Sequence, residues 1–153
     1  MKPPKKSKEE KRFNLLDIAT ADFAFEAFGK DLNELFENAA LATMEIMTDT
    51  KKIRPKNTVK FSLKSEDIKS LMFDFLSEMP FYKDTKGLVF SRFNVKIKKE
   101  DKGYSLICKL SGEKWDRTKH EIRTEVKAAT YHMMEIEQNK KTKTWRTQVI
   151  LDT

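Results

Sequence analysis

The chain of 153 residues has few of the residues on which several classes of protein depend. Its one cysteine, Cys108, excludes an intrachain disulfide framework and leaves a cysteine-based zinc site without ligands. Four glycines and four prolines exclude collagen-like and linker-dominated architectures. No apolar run approaches the roughly 20 residues that span a bilayer, and no apolar stretch follows the N-terminal charges as in a signal peptide. These absences predict a cytoplasmic protein without a membrane segment.

The composition favours one folded domain. Hydrophobic residues make up 39% of the chain and eleven residues are phenylalanine, which is enough apolar surface for a core. The net charge is +7, but residues 1–12 hold six basic against two acidic residues, so residues 13–153 carry only +3. We therefore expect a flexible basic tail over 1–12 and a folded domain over 13–153. The tail is either a solubilising terminus or a contact for RNA or another polyanion.

Two segments have the spacing of amphipathic helices. Asp31 and Glu34 form a capping box, and apolar residues then recur at helical intervals, which predicts a helix over about 31–48. The second apolar stripe runs from Ile68 to Met79. We expect Ser65 to cap this helix and Pro80 to end it.

The remaining ordered segments alternate between polar and apolar residues, as half-buried strands do. Residues 126–137 fit either a helix or a strand, and their β-branched and aromatic content favours a strand. The other predicted strands are Phe23–Gly29, Thr58–Lys64, Val89–Ile97, Tyr104–Leu110 and Trp145–Leu151, with the third and fourth forming a hairpin around Lys102-Gly103. This order predicts a single α+β domain, a mainly antiparallel sheet with two amphipathic helices packed on it.

Catalytic motifs are missing from the sequence. It contains no phosphate-binding glycine loop, no H-E-x-x-H and no G-x-S-x-G. His120 and His132 are the only histidines, and Cys108 lies in an apolar strand where a cysteine is usually an inert core residue. The sequence therefore predicts a protein that is not an enzyme.

Two aspartates lie at the ends of predicted strands. Asp22 begins the strand over 23–29, and Asp152 ends the last one, followed by Thr153. If these strands are neighbours, Asp22, Asp152 and the terminal carboxylate come together as hard oxygen ligands for calcium or magnesium. The alternative is that both aspartates are simply solvated strand ends.

Basic residues in the last third allow two further interpretations. Lys127 lies between Val126 and Ala128, where it either meets a partner or a carboxylate, or points outward to protect an edge strand. A patch of Lys140, Lys141, Lys143 and Arg146 could join the basic tail, and aromatic residues on the strands could stack on bases, in an RNA-binding module.

Six short segments together resemble the archease family, the small proteins that assist the RtcB-type RNA-splicing ligase in joining tRNA exons. They follow the family's order across about residues 13–153: Thr20-Ala21-Asp22, residues 35–42 (LFENAALA), Met47-Thr48-Asp49, residues 124–128 (TEVKA), Thr130-Tyr131-His132 and residues 149–152 (VILD). One difference is that Ala19 stands where the family usually has histidine before Thr-Ala-Asp.

The resemblance implies a calcium site held by Asp22, Asp152 and Thr153, with Lys127 and His132 as nearby polar groups that contact a partner. It also implies an accessory role. Proteins of this family speed guanylylation of the ligase and restore it for further turnovers, and the GTP and manganese that the ligase uses need not bind here. The expected partners are an RtcB-type ligase and, through the ligase complex, tRNA.

Overall fold

A computed structural model describes residues 12–17 and 22–153 of the chain. Helix α1 spans Leu32–Met47 and helix α2 spans Ile68–Lys86, and a single 3-10 turn covers Thr50–Lys52. The strands are β1 Phe13–Leu16, β2 Phe23–Gly29, β3 Asn57–Ser65, β4 Leu88–Glu100, β5 Gly103–Lys114, β6 Ala128–Ala129, β7 Glu135–Gln138 and β8 Trp145–Asp152.

The strands form two antiparallel sheets. In sheet A, β8 is central: β1 and β2 lie on one side of it, and the short strands β6 and β7 pair with its other edge. Sheet B has the order β3-β5-β4. Both helices contact strands of both sheets, so the helices and the two sheets share one core. The predicted α+β class with two packed helices is confirmed, with two sheets in place of one.

Helix α1 begins as its capping box predicts. Asp31 Oδ1 accepts from the Glu34 backbone N–H at 2.9 Å, and Glu34 reaches back to the Lys30 N–H at 2.7 Å. The helix also covers the outer edge of β4, because Glu37 and Asn33 accept from the N–H groups of Val95 and Ile97, both at 2.8 Å. These bonds satisfy donors that an open sheet edge would leave unpaired, and burial raises the pKa of Glu37.

The sequence-based limits of α2 were wrong at both ends. Asp67, not Ser65, is the N-cap and accepts from the Ser70 N–H at 2.8 Å. The helix continues through Pro80 to Lys86, although an internal proline removes a backbone hydrogen bond at a cost of about 3 kcal/mol. Tyr82 beyond it stacks on Phe61 of β3 at 5.8 Å, which ties the last turns to sheet B. The helix ends at Gly87, which takes the left-handed conformation (φ 64°) of a C-cap.

Residues 126–137 form neither the predicted continuous strand nor the alternative helix. Strands β6 and β7 both pair with β8, and the residues between them make an exposed turn. The turn uses Met133 at φ 54°, a conformation uncommon outside glycine, which breaks the strand. Strand β1, which no sequence pattern predicted, pairs through its four residues with β2.

The predicted core and hairpin are confirmed. Helix residues Leu71, Phe75 and Met79 are fully buried, and β4 and β5 pair along their whole length around the turn before Gly103. Cys108 is buried, and burial raises the pKa of its thiol to about 12, so it is an inert core residue. Over residues 12–17 and 22–153, no helix combines the length and apolar character that crossing a bilayer requires.

Candidate functional site

The two strand-end aspartates lie at the same end of sheet A. Strand β2 pairs with β8 as far as Phe23 opposite Leu151, so Asp22 comes directly before this last pair and Asp152 directly after it along the chain. Both aspartates are exposed, and Thr153 follows directly. The condition on which the sequence argument rested, that these two strands are neighbours, is therefore met.

The chemistry of these donors fits a calcium ion. Two neighbouring carboxylates and the oxygens of Thr153 are hard ligands, and calcium accepts roughly six to eight such oxygens, with water completing the shell. No third carboxylate, histidine or cysteine joins them, because the described part of the chain contains no cluster of three such side chains. Ala19, Thr20 and Ala21, the residues before Asp22, lie outside the described residues.

Lys127 enters the same end of sheet A from the opposite side of β8. Its backbone N–H donates to the Asp152 carbonyl at 2.8 Å, and the next residue, Ala128, pairs with Asp152. Lys127 itself lies just before the first residue of β6. The side chain is exposed, and none of the ion pairs formed by residues 12–17 and 22–153 includes it. An ion pair between Lys127 and a carboxylate, one of the alternatives that the sequence left open, is therefore not found among the described residues.

The segment that carries Lys127 is held against the end of α1. Arg123 Nη1 donates to a Glu45 carboxylate oxygen at 2.7 Å and to the Glu45 carbonyl at 2.8 Å. The Thr124 N–H donates to the Ile46 carbonyl, and Val126 is buried in the core. Three successive attachments thus position the backbone from which Lys127 projects.

His132 lies in the exposed turn between β6 and β7, further along β8 than the aspartates. The turn is fastened at two points: Tyr131 stacks on Phe73 of α2 at 4.4 Å with nearly parallel rings, and Gln148 Nε2 donates to the Met133 carbonyl at 2.9 Å. His132 itself is exposed, and the backbone ladder does not place it beside Asp22 or Asp152. The structure therefore groups Asp22, Asp152, Thr153 and Lys127, with His132 on a neighbouring surface.

An ion-pair network that the sequence did not predict occupies the outer face of sheet A, the face turned away from the helices. Arg146 contacts Glu26 at 2.9 Å, Glu135 at 2.8 Å and Glu137 at 3.2 Å, and the hydrogen bonds to Glu135 and Glu26 raise its pKa. The proposed patch of Lys140, Lys141, Lys143 and Arg146 is corrected accordingly, because the arginine charge is neutralised within the fold and only the three lysines stay exposed in their loop. Glu26 and Arg146 are too far apart in sequence for their pairing to be read from it.

A second buried network holds the loop that follows β5. Glu113 accepts from Lys119 at 2.6 Å, from the Arg54 N–H at 3.0 Å and from His120 Nε2 at 2.9 Å, while His120 Nδ1 accepts from the Asp116 N–H. Burial acts to raise the pKa of Glu113, but these hydrogen bonds outweigh it and hold the pKa at about 2. His120 is thus a structural residue with both ring nitrogens engaged.

Comparison with known proteins gives a consistent result. The model of the Archease protein family matches residues 13–153. Protein archease of Methanothermobacter thermautotrophicus is 47% identical over 82% of this chain and 89% of its own length, and that of Methanosarcina barkeri is 40% identical over 95% and 99%. The solution structure of protein 1598 of Methanobacterium thermoautotrophicum has a TM-score of 0.80 and 44% identity, and the match covers 93% of this chain and 99% of that one. The chain therefore belongs to the archease family.

Proposed function

We propose that this protein activates an RtcB-type RNA-splicing ligase by direct contact, promoting guanylylation of the ligase and its repeated turnover, without catalysing a reaction of its own. Membership of the archease family supports an accessory role in RNA ligation and tRNA processing at a coarse level. The ligase as the direct partner and its guanylylation as the accelerated step go beyond this family role and are proposed here.

The observation that carries this proposal is that exposed Asp22, Asp152 and Lys127 lie at one end of sheet A together with half-buried Thr153. Carboxylates close together on a surface repel each other, and a cation or a positively charged partner relieves that repulsion. Large apolar side chains are exposed on the same sheet and on the adjoining turn: Phe23 is 40% exposed, Tyr131 52% and Met133 49%. Charged groups beside exposed apolar side chains are typical of a protein-binding surface.

We propose further that Asp22, Asp152 and Thr153 hold a calcium ion. The ion would offset the repulsion between the two carboxylates and fasten the end of β8 to β2. It would present a fixed arrangement of oxygens to the ligase. Lys127, whose backbone is bonded to that of Asp152, would add a positively charged contact, and His132 a second one on the neighbouring turn.

A multiple-turnover ligation assay tests the activating role. The ligase with GTP, manganese and a cleaved RNA is expected to form several products per enzyme only when this protein is present. Asp22→Asn is expected to slow repeated turnover while leaving a single turnover of pre-guanylylated ligase unchanged. Asp101→Asn, at the exposed turn of the β4–β5 hairpin, is the matched control and is expected to stimulate normally. Equal product yields with and without the wild-type protein would contradict the proposal.

A calcium titration of the isolated protein tests the metal site independently of the ligase. A ligand at a hundredfold its dissociation constant stabilises a fold by about 2.7 kcal/mol, so calcium is expected to raise the Tm measurably. Asp22→Asn and Asp152→Asn are each expected to abolish that rise, and Asp101→Asn to retain it. An unchanged calcium response in both site variants would mean that the aspartates are solvated strand ends.

Lys127→Ala separates a functional from a structural role for this lysine. An exposed lysine without an ion pair contributes little to stability, so the Tm is expected to stay within a few degrees. Ligase stimulation is expected to fall, whereas Lys102→Ala in the hairpin turn is expected to leave it intact. A variant that melts early and still stimulates normally would assign Lys127 to the fold.

A further inference from the structure

The outer face of sheet B, the face turned away from the helices, carries a regular array of basic side chains. Strand alternation places every second residue of β3, β4 and β5 on this face, and the register aligns them in rows. The charged members are Lys60 and Lys64 of β3, Lys109 of β5, and Arg92, Lys96 and Lys98 of β4, all exposed. Between them lie the short polar residues Thr58, Ser62, Asn94, Ser105 and Ser111.

The charge of this face is not compensated within the fold. Six basic side chains face one carboxylate, Glu100, which lies at the hairpin end and accepts a hydrogen bond from Ser105. No ion pair among the described residues involves any of the six. The local excess of five positive charges is larger than the +3 that residues 13–153 carry together, so positive charge is concentrated here.

Protection of a sheet edge explains only part of this array. Lysines on an exposed edge strand discourage pairing with other chains, and this accounts for Lys60 and Lys64 on β3. It does not account for Lys109, because β5 is the central strand, or for Lys96, because α1 already covers the edge of β4. Lys109 also lies directly opposite Lys60, an arrangement of like charges that destabilises a sheet. A partner with negative charge would remove that cost.

The composition of the face favours phosphate groups over an acidic protein. Lysines release counterions when they meet phosphates, and hydroxyl and amide side chains donate to phosphate oxygens. Protein interfaces, by contrast, are depleted in lysine and need an apolar or aromatic centre, and Ile107 is the only large apolar side chain exposed here among the described residues. The aromatic residues of these strands, Phe61, Phe93 and Tyr104, pack toward the core, so the face has no platform for stacking bases.

We propose that the outer face of sheet B binds the phosphate backbone of RNA without reading its base sequence. The face is about 10 Å wide and about 20 Å long, as strand spacing and rise dictate, so it accommodates a short stretch of backbone. RNA is chosen over DNA because the proposed function brings this protein to an RNA-joining enzyme; the binding itself needs no ligase and lies on a different sheet from the aspartates.

Fluorescence anisotropy with the full chain and a labelled single-stranded RNA of mixed sequence tests this proposal. The variant Lys60→Gln/Lys96→Gln/Lys109→Gln is expected to bind at least tenfold more weakly at low salt. The slope of log affinity against log salt should also fall by about 2, since each lost phosphate contact contributes about 0.7. The matched control, Lys140→Gln/Lys141→Gln/Lys143→Gln, removes the same charge from the β7–β8 loop and is expected to bind within threefold of wild type. Thermal unfolding verifies that each variant is folded. If the triple variant is not folded, the RNA affinity of Lys60→Gln is measured in its place.

Three results would overturn the proposal. The first is that the wild-type protein does not bind RNA, or that the sheet B variant binds it with the same affinity and salt slope as wild type. The second is an equal loss in the loop variant, which would move binding to that loop. The third is displacement of the RNA by polyglutamate as readily as by unlabelled RNA, which would indicate an acidic protein as the partner. Because the assay contains no ligase, its failure leaves the activating role untouched, and failure of ligase stimulation leaves this result untouched.

Discussion

The outer faces of the two sheets handle charge in opposite ways. On sheet A, one arginine is surrounded by Glu26, Glu135 and Glu137, so the charges meet partners inside the fold. On sheet B, none of the six basic side chains forms an ion pair with another residue that the structure describes. Both faces are charged, and both belong to antiparallel sheets packed on the same helices. The charges on sheet A therefore stabilise the fold, whereas those on sheet B are available to a partner.

The largest expected loss of stability comes from a substitution in the core that both sheets share. Phe75 of α2 is fully buried and contacts Phe36 and Phe61, with ring centroids 5.9 and 6.4 Å away. Phe75→Ala is expected to lower the free energy of unfolding by about 3–5 kcal/mol, the usual cost of a large core truncation. Chemical denaturation measures it. A loss below about 0.5 kcal/mol would mean that the helices do not hold the sheets together.

Replacing one arginine on each face tests the comparison directly. Arg146→Ala removes the hydrogen bonds and ion pairs that Arg146 makes with three glutamates on sheet A and is expected to cost about 1–3 kcal/mol, as for hydrogen bonds to charged groups. Arg92→Ala, on the outer face of sheet B, removes an exposed side chain and is expected to change stability by less than about 0.5 kcal/mol. Similar losses for both variants, measured by urea unfolding, would remove the distinction between the two faces.

Glu113 gives sheet B a buried carboxylate whose contribution depends on pH. Its pKa of about 2 is below the ordinary value of 4.5, so its hydrogen bonds stabilise the fold above pH 4.5. This stability is lost as the pH falls from about 4.5 through about 2. Glu113→Gln is expected to be less stable than wild type at pH 7, with a gap that narrows below pH 4.5. Glu100→Gln is the control, and unfolding curves at several pH values that kept the Glu113 gap constant would contradict the assignment.

The smallest expected effect on stability concerns a lysine of the basic array. Lys60→Glu places a carboxylate opposite Lys109 and replaces repulsion by attraction, so the Tm is expected to stay the same or rise slightly. Opposite charges across strands contribute roughly 0.2–1 kcal/mol. RNA affinity is expected to fall in the same variant. A clear drop in Tm would show that Lys60 serves the fold after all.

Local patterns in the sequence predicted the elements whose signals lie within a few residues. The Asp31 capping box, the alternation of β3 and the Gly103 hairpin all formed as expected, because caps and turns depend on near neighbours. The end of α2 was missed because a proline rule was applied locally, whereas Tyr82 is held by stacking on Phe61 from another element. Tertiary contact outweighed the local preference there.

The site was predictable to the extent that it follows from strand order. Asp22 and Asp152 lie at strand ends, and their proximity required only that β2 and β8 pair. The network of Arg146 and the basic array depend on register, which neither alternation nor composition determines. Lys60 and Lys109 were visible as outward residues of two strands, but nothing in the sequence placed them opposite each other.

The central position of β8 in sheet A has a consequence for the order of folding during synthesis. Sheet B is complete once residue 114 has left the ribosome, whereas β1 and β2 wait for a strand that begins at residue 145. Translation adds about 5–20 residues per second, so the edge of β2 that later pairs with β8 stays without its hydrogen-bonding partner for seconds. During that interval the backbone N–H and C=O groups of this edge are open to chaperones or to other nascent chains. Aggregation of the nascent chain should therefore begin from β2, and it should stop once β8 has left the ribosome and paired with β2.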